Sequence, residues 1–153
     1  MINVVLVEPE IPQNAGNVIR TCAATGAKLY LIKPLGFNIT DRDFKRAGLD
    51  YFDKTQMKVY DSFEQLHNEF KDSQFVFATK KTDKHYTDVK YEKDCFLVFG
   101  KETKGLSSEI LTTYSDQLIR IPMRDSIRCL NLSNSVAIVI YEALRQQGFE
   151  SLI

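Results

Sequence analysis

Six short apolar runs recur along this chain, and their spacing constrains the fold more than any other feature of the sequence. Most of them are apolar at successive positions, which is typical of strands covered on both faces of a parallel sheet. Patterns typical of helices lie between them, so we predict an α/β fold with a mostly parallel six-stranded sheet and helices on both faces. The predicted strands are residues 2–7, 28–33, 57–60, 74–79, 95–99 and 118–122.

Capping residues and glycines bound the predicted helices. The first extends from near Pro12 to Gly26, and the last from about Asn134 to Gln147. The other three follow Thr40 and Asp41 as far as Gly48, span Ser62 to Asp72, and begin at Ser107 or Ser108. The sequence shows no repeat, linker or low-complexity segment between these elements.

Size and charge bound the possible functions. A hydrophobic content of 44% in 153 residues is sufficient for one packed core, so we expect a single domain over residues 1–153. Basic and acidic residues number 20 each, which argues against the global positive field of a nonspecific nucleic-acid binder. A polyanion would have to bind to local basic groups, each of which is equally compatible with ordinary surface. These groups are Arg42, Lys45 and Arg46, then Lys80, Lys81 and Lys84, and then Arg120, Arg124 and Arg128.

Metal sites, disulfides and membrane spans are disfavoured by the residues present. Cys22, Cys95 and Cys129 show no metal-ligand spacing, and the sequence has only two histidines. We therefore expect no metal site and no disulfide framework. The apolar run at 2–7 is too short to span a membrane and has no basic flank, so we expect no membrane partner and a cytoplasmic location.

Ligands of open parallel sheets bind at the carboxyl ends of the strands, where three loops of this chain are unusual. The first, EPEIPQNAGNVIRTCAATG, has Asn14, Gly16 and Asn17 in the opening turn of a helix, with Arg20 one turn after Gly16. Because glycine is a poor helix former, Gly16 indicates a close approach of backbone or ligand. Arg20 is compatible with a functional role or with an ordinary surface position.

The second loop is FGKETKGLS and the third is IPMRDSIRCLNLSN. The second has glycines and a lysine but lacks the residue order of a Walker loop, and no Gly-x-Gly-x-x-Gly fingerprint is present. In the third, Ser126 or Ser133 could be a nucleophile, but no histidine follows a promising strand end to act as its base. We therefore set aside these two nucleotide loops and disfavour a catalytic triad.

The polar run NLSNS, residues 131–135, has more capping side chains than one helix start needs. The apolar residues 136–141 then cover the whole circumference of the last helix, so one face of a sheet cannot bury them all. We expect a second partner surface, such as another subunit. The alternative is a helix covered on all sides within one chain.

Three segments together resemble a known family. PQNAGNVIRTCAATG, FGKETKGLS and the IPM…LNLSNSVAIVIYEALRQ segment match, in order and separation, the three motifs of the SPOUT-class tRNA 2′-O-methyltransferases. The chain is most similar to the small subfamily that methylates the ribose of the wobble cytidine or uridine, position 34, and which lacks an appended RNA-binding domain. The resemblance implies a C-terminal trefoil knot that binds S-adenosylmethionine, a homodimer, and the tRNA anticodon stem-loop as substrate.

The resemblance also implies which residues act. The cofactor-binding residues would be Thr79, Gly100, Glu102, Ile121, Cys129, Leu130 and Asn134. The catalytic residues would be Arg20, Asn14 and Ser133. Related enzymes are usually assigned an arginine that removes the proton of the ribose 2′-hydroxyl. Because a guanidinium keeps its own proton up to about pH 12, we expect Arg20 instead to stabilise the developing alkoxide and an adjacent phosphate.

Three other interpretations stay open. The protein could methylate another tRNA or ribosomal RNA nucleotide, or it could be a non-catalytic module that binds RNA or senses the cofactor. Asn14, Arg20 and Glu102 weigh against the non-catalytic module, since a protein that had lost its activity need not keep them. The alternating pattern by itself would also fit a flavodoxin-like regulatory or nucleotide-binding domain.

Overall fold

The computed structural model describes residues 1–40, 42, 46 and 51–153, and all six predicted strands lie in one sheet. The strands are β1 (Asn3–Val7), β2 (Lys28–Ile32), β3 (Met57–Tyr60), β4 (Phe75–Ala78), β5 (Phe96–Phe99) and β6 (Leu118–Ile119). Their spatial order is β3-β2-β1-β5-β4-β6, and every pairing between them is parallel. The predicted parallel six-stranded sheet is confirmed.

The last strand, β6, is shorter than the predicted run 118–122. Immediately after β6, Arg120 pairs with the loop that follows β4: its N–H donates to the Lys84 carbonyl, and the Tyr86 N–H donates to the Arg120 carbonyl, both at 2.8 Å. The apolar side chain of Ile121 packs at the margin of the core, outside the sheet. An apolar run therefore overstated the length of the strand.

The four described helices are α1 (Pro12–Thr25), α2 (Phe63–Glu69), α3 (Ser108–Thr113) and α4 (Leu132–Gln146), with two short 3-10 turns at Phe52–Lys54 and Ser115–Gln117. Pro12 begins α1, and Gly26 ends it, with a φ of +72° that allows its N–H to donate to the Cys22 carbonyl. Ser62 and Ser107 cap α2 and α3, as predicted. The helix predicted near 41–48 lies outside the described residues, except for Arg42 and Arg46.

Helix α4 begins two residues before the predicted Asn134. Its N-cap is Asn131, whose Oδ1 accepts a hydrogen bond from the Ser133 N–H at 2.9 Å. Several residues in the run 131–135 are good caps, so the sequence alone could not show which of them stands at the boundary.

Two apolar layers cover the sheet, one on each face. Alternate residues of the central strand point to opposite layers, Val4 and Leu6 to one and Val5 and Val7 to the other. Helices α1 and α4 complete the first layer through buried residues such as Val18 and Val139. Helices α2 and α3 complete the second, which is rich in aromatic rings. The predicted placement of helices on both faces is confirmed.

Residues 79–95, between β4 and β5, contact the C-terminal part of the chain on both sides of α4, before its start and at its last residue. On one side they pair with Arg120, and Lys80 Nζ donates to the Arg128 carbonyl at 3.1 Å. On the other, Gln146 near the end of α4 accepts from the Tyr91 N–H at 3.1 Å and donates to the Val89 carbonyl at 2.9 Å. These contacts favour the trefoil knot, which stays a prediction.

Two kinds of feature are absent from the described residues. None of their helices is both long and apolar enough to cross a lipid bilayer. In that same part of the chain, no three His, Cys, Asp or Glu side chains are grouped so that they could hold a metal ion.

We expect the aromatic layer to contribute strongly to stability. Phe96 is 2% exposed, and its ring stacks on Phe75 with centroids 4.6 Å apart. Phe96→Ala should lower the free energy of unfolding by about 3–5 kcal/mol because it removes buried surface and leaves a cavity. Urea denaturation measures the change. Phe149→Ala is the control, because Phe149 is 42% exposed; equal losses in both variants would contradict the packing argument.

Candidate functional site

The loops singled out in the sequence lie together at the carboxyl edge of the sheet. Because β1, β5, β4 and β6 are consecutive neighbours, the loops that follow them are adjacent in space. We call them the β1 loop (8–11), the β4 loop (79–83), the β5 loop (100–107) and the β6 loop (120–131). This edge is where ligands bind in open parallel sheets.

A reciprocal pair of carboxylates joins the β1 loop to the β5 loop. Glu102 accepts hydrogen bonds from the backbone N–H groups of Glu10 and Ile11, at 2.9 and 3.1 Å. Glu10 in turn accepts from the N–H and the hydroxyl of Thr103, at 3.2 and 2.7 Å. The donors of Thr103 favour the charged carboxylate and lower the pKa of Glu10. Each loop therefore supplies the acceptor that orders the other.

A third contact between the same loops is an ion pair. Lys101 Nζ lies 3.4 Å from Glu8 Oε1, and both side chains are about two-thirds or more buried. Glu8 has a φ of +51°, in the left-handed region that few non-glycine residues adopt. Its backbone is held there by an N–H bond to the Ile32 carbonyl at 2.9 Å, so the start of the β1 loop has a defined direction.

Asn14 extends this network to helix α4. Its Nδ2 donates to Glu102 Oε1 at 3.3 Å, and its Oδ1 accepts from Asn131 Nδ2 at 2.9 Å. Asn131 Oδ1 then accepts from the Ser133 hydroxyl at 2.6 Å as well as from its N–H. Asn14 and Ser133 are 6% and 8% exposed. The structure thus connects three of the predicted site residues: Asn14, Glu102 and Ser133.

Asn131 belongs to the polar run 131–135 that the sequence singled out, although it was not among the individual residues named as catalytic or cofactor-binding. It caps α4 and links Asn14 to Ser133. The excess of polar side chains in the run 131–135 was the available signal. Ser135 bonds locally to the Asn131 carbonyl, while Asn134 is exposed.

The β5 loop folds back tightly on itself at Gly100. A Cβ on Gly100 would lie 2.4 Å from the Leu106 nitrogen and 2.5 Å from the Gly105 carbonyl carbon. The turn is closed by the Gly105 N–H, which donates to the Lys101 carbonyl at 3.0 Å, with Gly105 at a φ of +68°. Gly100 is therefore required by close backbone packing.

The β4 and β6 loops carry most of the other predicted cofactor residues. Thr79 is held at the end of β4 by an N–H bond to the Ile119 carbonyl at 2.9 Å. Within the described part of the chain, the peptide groups of Ile121, Cys129 and Leu130 form no hydrogen bond. Peptide groups in this state can donate to and accept from a polar ligand such as an adenine ring. The donor set therefore fits a nucleoside cofactor.

Arg120 is not an ordinary surface residue. It is half-buried; its Nη1 donates to the Thr82 carbonyl at 3.4 Å, and its buried Nε has no partner among the described residues. Arg124 and Arg128 are exposed, as are Lys80, Lys81 and Lys84. Lys45 lies outside the described residues.

Arg20 forms no hydrogen bond with the network of Glu102, Asn14, Asn131 and Ser133 among the described residues. It is exposed on α1, about 9 Å further along the helix axis than Asn14. Its guanidinium carbon lies 4.9 Å from the centroid of the Tyr51 ring. None of its contacts among the described residues involves a predicted cofactor-binding residue.

The cysteines differ in their environments. Cys22 and Cys95 are fully buried, and burial raises the pKa of each thiol to about 12. Both thiols are therefore protonated at neutral pH and are packing residues. Cys129 is exposed in the β6 loop.

Comparison with known proteins agrees with the fold. The family described as SpoU rRNA Methylase matches residues 1–141, and the chain belongs to this family. The resemblance inferred from the three motifs is confirmed. The class of protein is therefore an RNA methyltransferase.

Individual relatives narrow this class. A protein of Burkholderia cenocepacia named tRNA (cytidine(34)-2′-O)-methyltransferase is 49% identical over 98% of both chains. A solved structure described as "Structural insights into the 2-OH methylation of C/U34 on tRNA" is 37% identical, has a TM-score of 0.93 and covers 98% of both chains. An AdoMet-bound rRNA methyltransferase from Sinorhizobium meliloti is 26% identical with a TM-score of 0.84, covering 94% of this chain and 56% of that one.

We expect Gly100→Ala to distort the β5 loop, because its Cβ would collide with backbone that cannot rotate away. Affinity for S-adenosylmethionine should fall by about tenfold or more, in line with a steric cost above about 1.4 kcal/mol. Isothermal titration calorimetry measures it. Gly148→Ala is the matched control, because that glycine has a φ of +71° but nothing within 4 Å of its Cβ position. Unchanged affinity in Gly100→Ala would contradict the prediction.

Proposed function

We propose that this protein transfers the methyl group of S-adenosylmethionine to the ribose 2′-oxygen of the tRNA wobble nucleotide, a cytidine or uridine at position 34. The observation that carries the proposal is the full-length identity of 49% to a relative named for this reaction. The structure supports it as well, because residues of the three strand-end motifs are joined in one polar network from Glu102 to Ser133.

The cofactor site is formed by the β4, β5 and β6 loops. Backbone at Thr79, Gly100, Ile121, Cys129 and Leu130 binds the nucleoside, and Asn134, which is exposed, contributes its side chain. S-adenosylmethionine supplies a methyl group on a positively charged sulfur, so the reaction needs no metal and no covalent intermediate. Glu102 acts by fixing the β5 loop, since its carboxylate already accepts bonds from Glu10, Ile11 and Asn14.

Arg20 acts on the RNA. Its guanidinium stabilises the negative charge that develops on the 2′-oxygen as the hydroxyl proton passes to solvent, and it binds a neighbouring phosphate, because its fork of N–H donors matches both. Asn14 and Ser133 are buried, so they keep the loops in the geometry in which the reacting oxygen and the methyl group meet.

A second copy of the chain completes the site. Arg20 is exposed on α1, and its contact among the described residues is with Tyr51, outside the cofactor loops, while Tyr141 on α4 is 47% exposed. A homodimer in which these two helices face the partner covers the apolar part of α4 and brings Arg20 to the partner's loops. The tRNA anticodon stem-loop then binds across exposed basic residues such as Arg124 and Lys81, and the location is cytoplasmic.

A second candidate substrate is a ribosomal RNA nucleotide. The family description, which names an rRNA methylase, favours it. The fold and the site residues would be the same for both substrates.

The reaction is tested on total tRNA from cells that lack this gene. Purified protein is incubated with this tRNA and labelled S-adenosylmethionine, and the methylated nucleoside is mapped by mass spectrometry. We expect 2′-O-methylcytidine or 2′-O-methyluridine at position 34, and a loss of at least about 100-fold in Arg20→Ala, a typical cost of removing one group that stabilises an oxyanion. A mark at another position would overturn the substrate, and label in ribosomal RNA alone would favour the second candidate.

The dimer is tested by placing a charge on α4. Tyr141→Glu should convert the protein to a monomer, because a carboxylate at a contact between two subunits is costly to desolvate. Analytical ultracentrifugation measures the mass. Ile153→Glu is the control, since Ile153 is an exposed apolar residue outside α4. A Tyr141→Glu dimer as tight as wild type would contradict this arrangement.

A further inference from the structure

Arg20 contacts the ring of Tyr51, a residue that has no role in the proposed reaction. Its guanidinium carbon lies 4.9 Å from the centroid of the Tyr51 ring, within the range of a cation–π contact. Among the described residues, no carboxylate forms an ion pair with Arg20. Within this part of the chain, the contact of the exposed cation is with an aromatic ring.

Tyr51 is itself held against α1. The Thr55 hydroxyl oxygen lies 3.1 Å from the carbonyl oxygens of both Tyr51 and Ile19, so its one hydrogen can be donated to either. The Lys54 N–H also donates to the Tyr51 carbonyl, at 3.0 Å. Tyr51 is half-buried and packs against the layer formed by α1 and α4. The turn 51–55 is therefore held against α1 next to Arg20.

We propose that Tyr51 is a positioning residue for Arg20: its ring holds one face of the guanidinium and leaves the N–H donors in the guanidinium plane available to the RNA. This inference rests on the proposed function, which assigns Arg20 to the ribose oxygen and the phosphate.

The chemistry of the ring explains why it suits this role. A carboxylate beside Arg20 would neutralise its charge and occupy its N–H donors. An aromatic face attracts a cation through its quadrupole, but it leaves the charge of the cation and its N–H donors available. The ring also limits the rotamers of a long exposed side chain, so less freedom is lost when the RNA binds. The tyrosine hydroxyl does not take part in the cation–π contact, so phenylalanine should replace tyrosine adequately.

Steady-state methylation of tRNA by the dimer tests the proposal with three variants. Tyr51→Leu keeps apolar volume but removes the ring, and it should lower kcat by about 3- to 30-fold, as expected for loss of a cation–π contact. The KM for S-adenosylmethionine should not change. Tyr51→Phe should restore the rate to within about twofold of wild type. Tyr114→Leu, a half-buried tyrosine on the opposite face of the sheet, should leave the rate unchanged.

A double-mutant cycle separates positioning from a structural role. If Tyr51 acts through Arg20, then Tyr51→Leu should cause no further loss in an Arg20→Ala background, measured in single-turnover reactions. The same fold loss in both backgrounds would overturn the proposal, and so would a Tyr51→Leu enzyme with full activity while Arg20→Ala is inactive. In that last case the proposed function would still stand.

A measurement without substrate tests whether Tyr51 positions Arg20, even if the wild-type protein does not methylate position 34. In NMR spectra, the Arg20 Nε–Hε signal is assigned by its loss in Arg20→Lys. We expect it to show a ring-current shift and restricted motion in wild type and in Tyr51→Phe, and to lose both in Tyr51→Leu. A signal with the same shift and mobility in Tyr51→Leu would overturn the positioning role by itself.

Discussion

The hydrogen bond from Asn131 Nδ2 to Asn14 Oδ1 joins two parts of the chain that are 117 residues apart, and the arrangement of the strand-end loops depends on it. Asn14 is buried, and leaving such an amide without a partner costs about 1–3 kcal/mol. The starts of α1 and α4 are therefore held in one relative position. Because Asn14 also bonds to Glu102, the β1, β5 and β6 loops behave as one unit.

Carboxylates are unexpectedly numerous beside a site that binds a polyanion, and each has a partner that offsets its charge. Glu8 pairs with Lys101, and Glu10 accepts two bonds from Thr103. Glu102 accepts backbone N–H groups at the start of α1, where the helix dipole also favours a negative charge. These carboxylates order the loops from within, while the exposed cations remain on the outer surface for contact with phosphates.

Local patterns in the sequence predicted most of the fold, because strand burial and helix caps depend on residues close in the chain. Apolar runs located all six strands, although the run through Ile121 made β6 too long, since apolarity does not distinguish a strand from a loop packed at the core margin. The site was only partly predictable. Motifs identified Asn14, Glu102 and Ser133, but their link through Asn131 and the contact of Arg20 with Tyr51 join residues far apart in sequence. No local pattern encodes such pairings.

The separation of Asn14 and Asn131 also has a consequence for how the protein folds. Contacts between residues so distant in sequence are slow to form, because a long loop of chain must close before they can stabilise anything. Gln146 adds a second contact of this kind by fastening the end of α4 to residues 89–91, which precede β5. The loops of the site are thus completed only when α4 docks. The ability to bind the cofactor should therefore appear late in refolding, and it would report the fraction of chains that have finished the whole process.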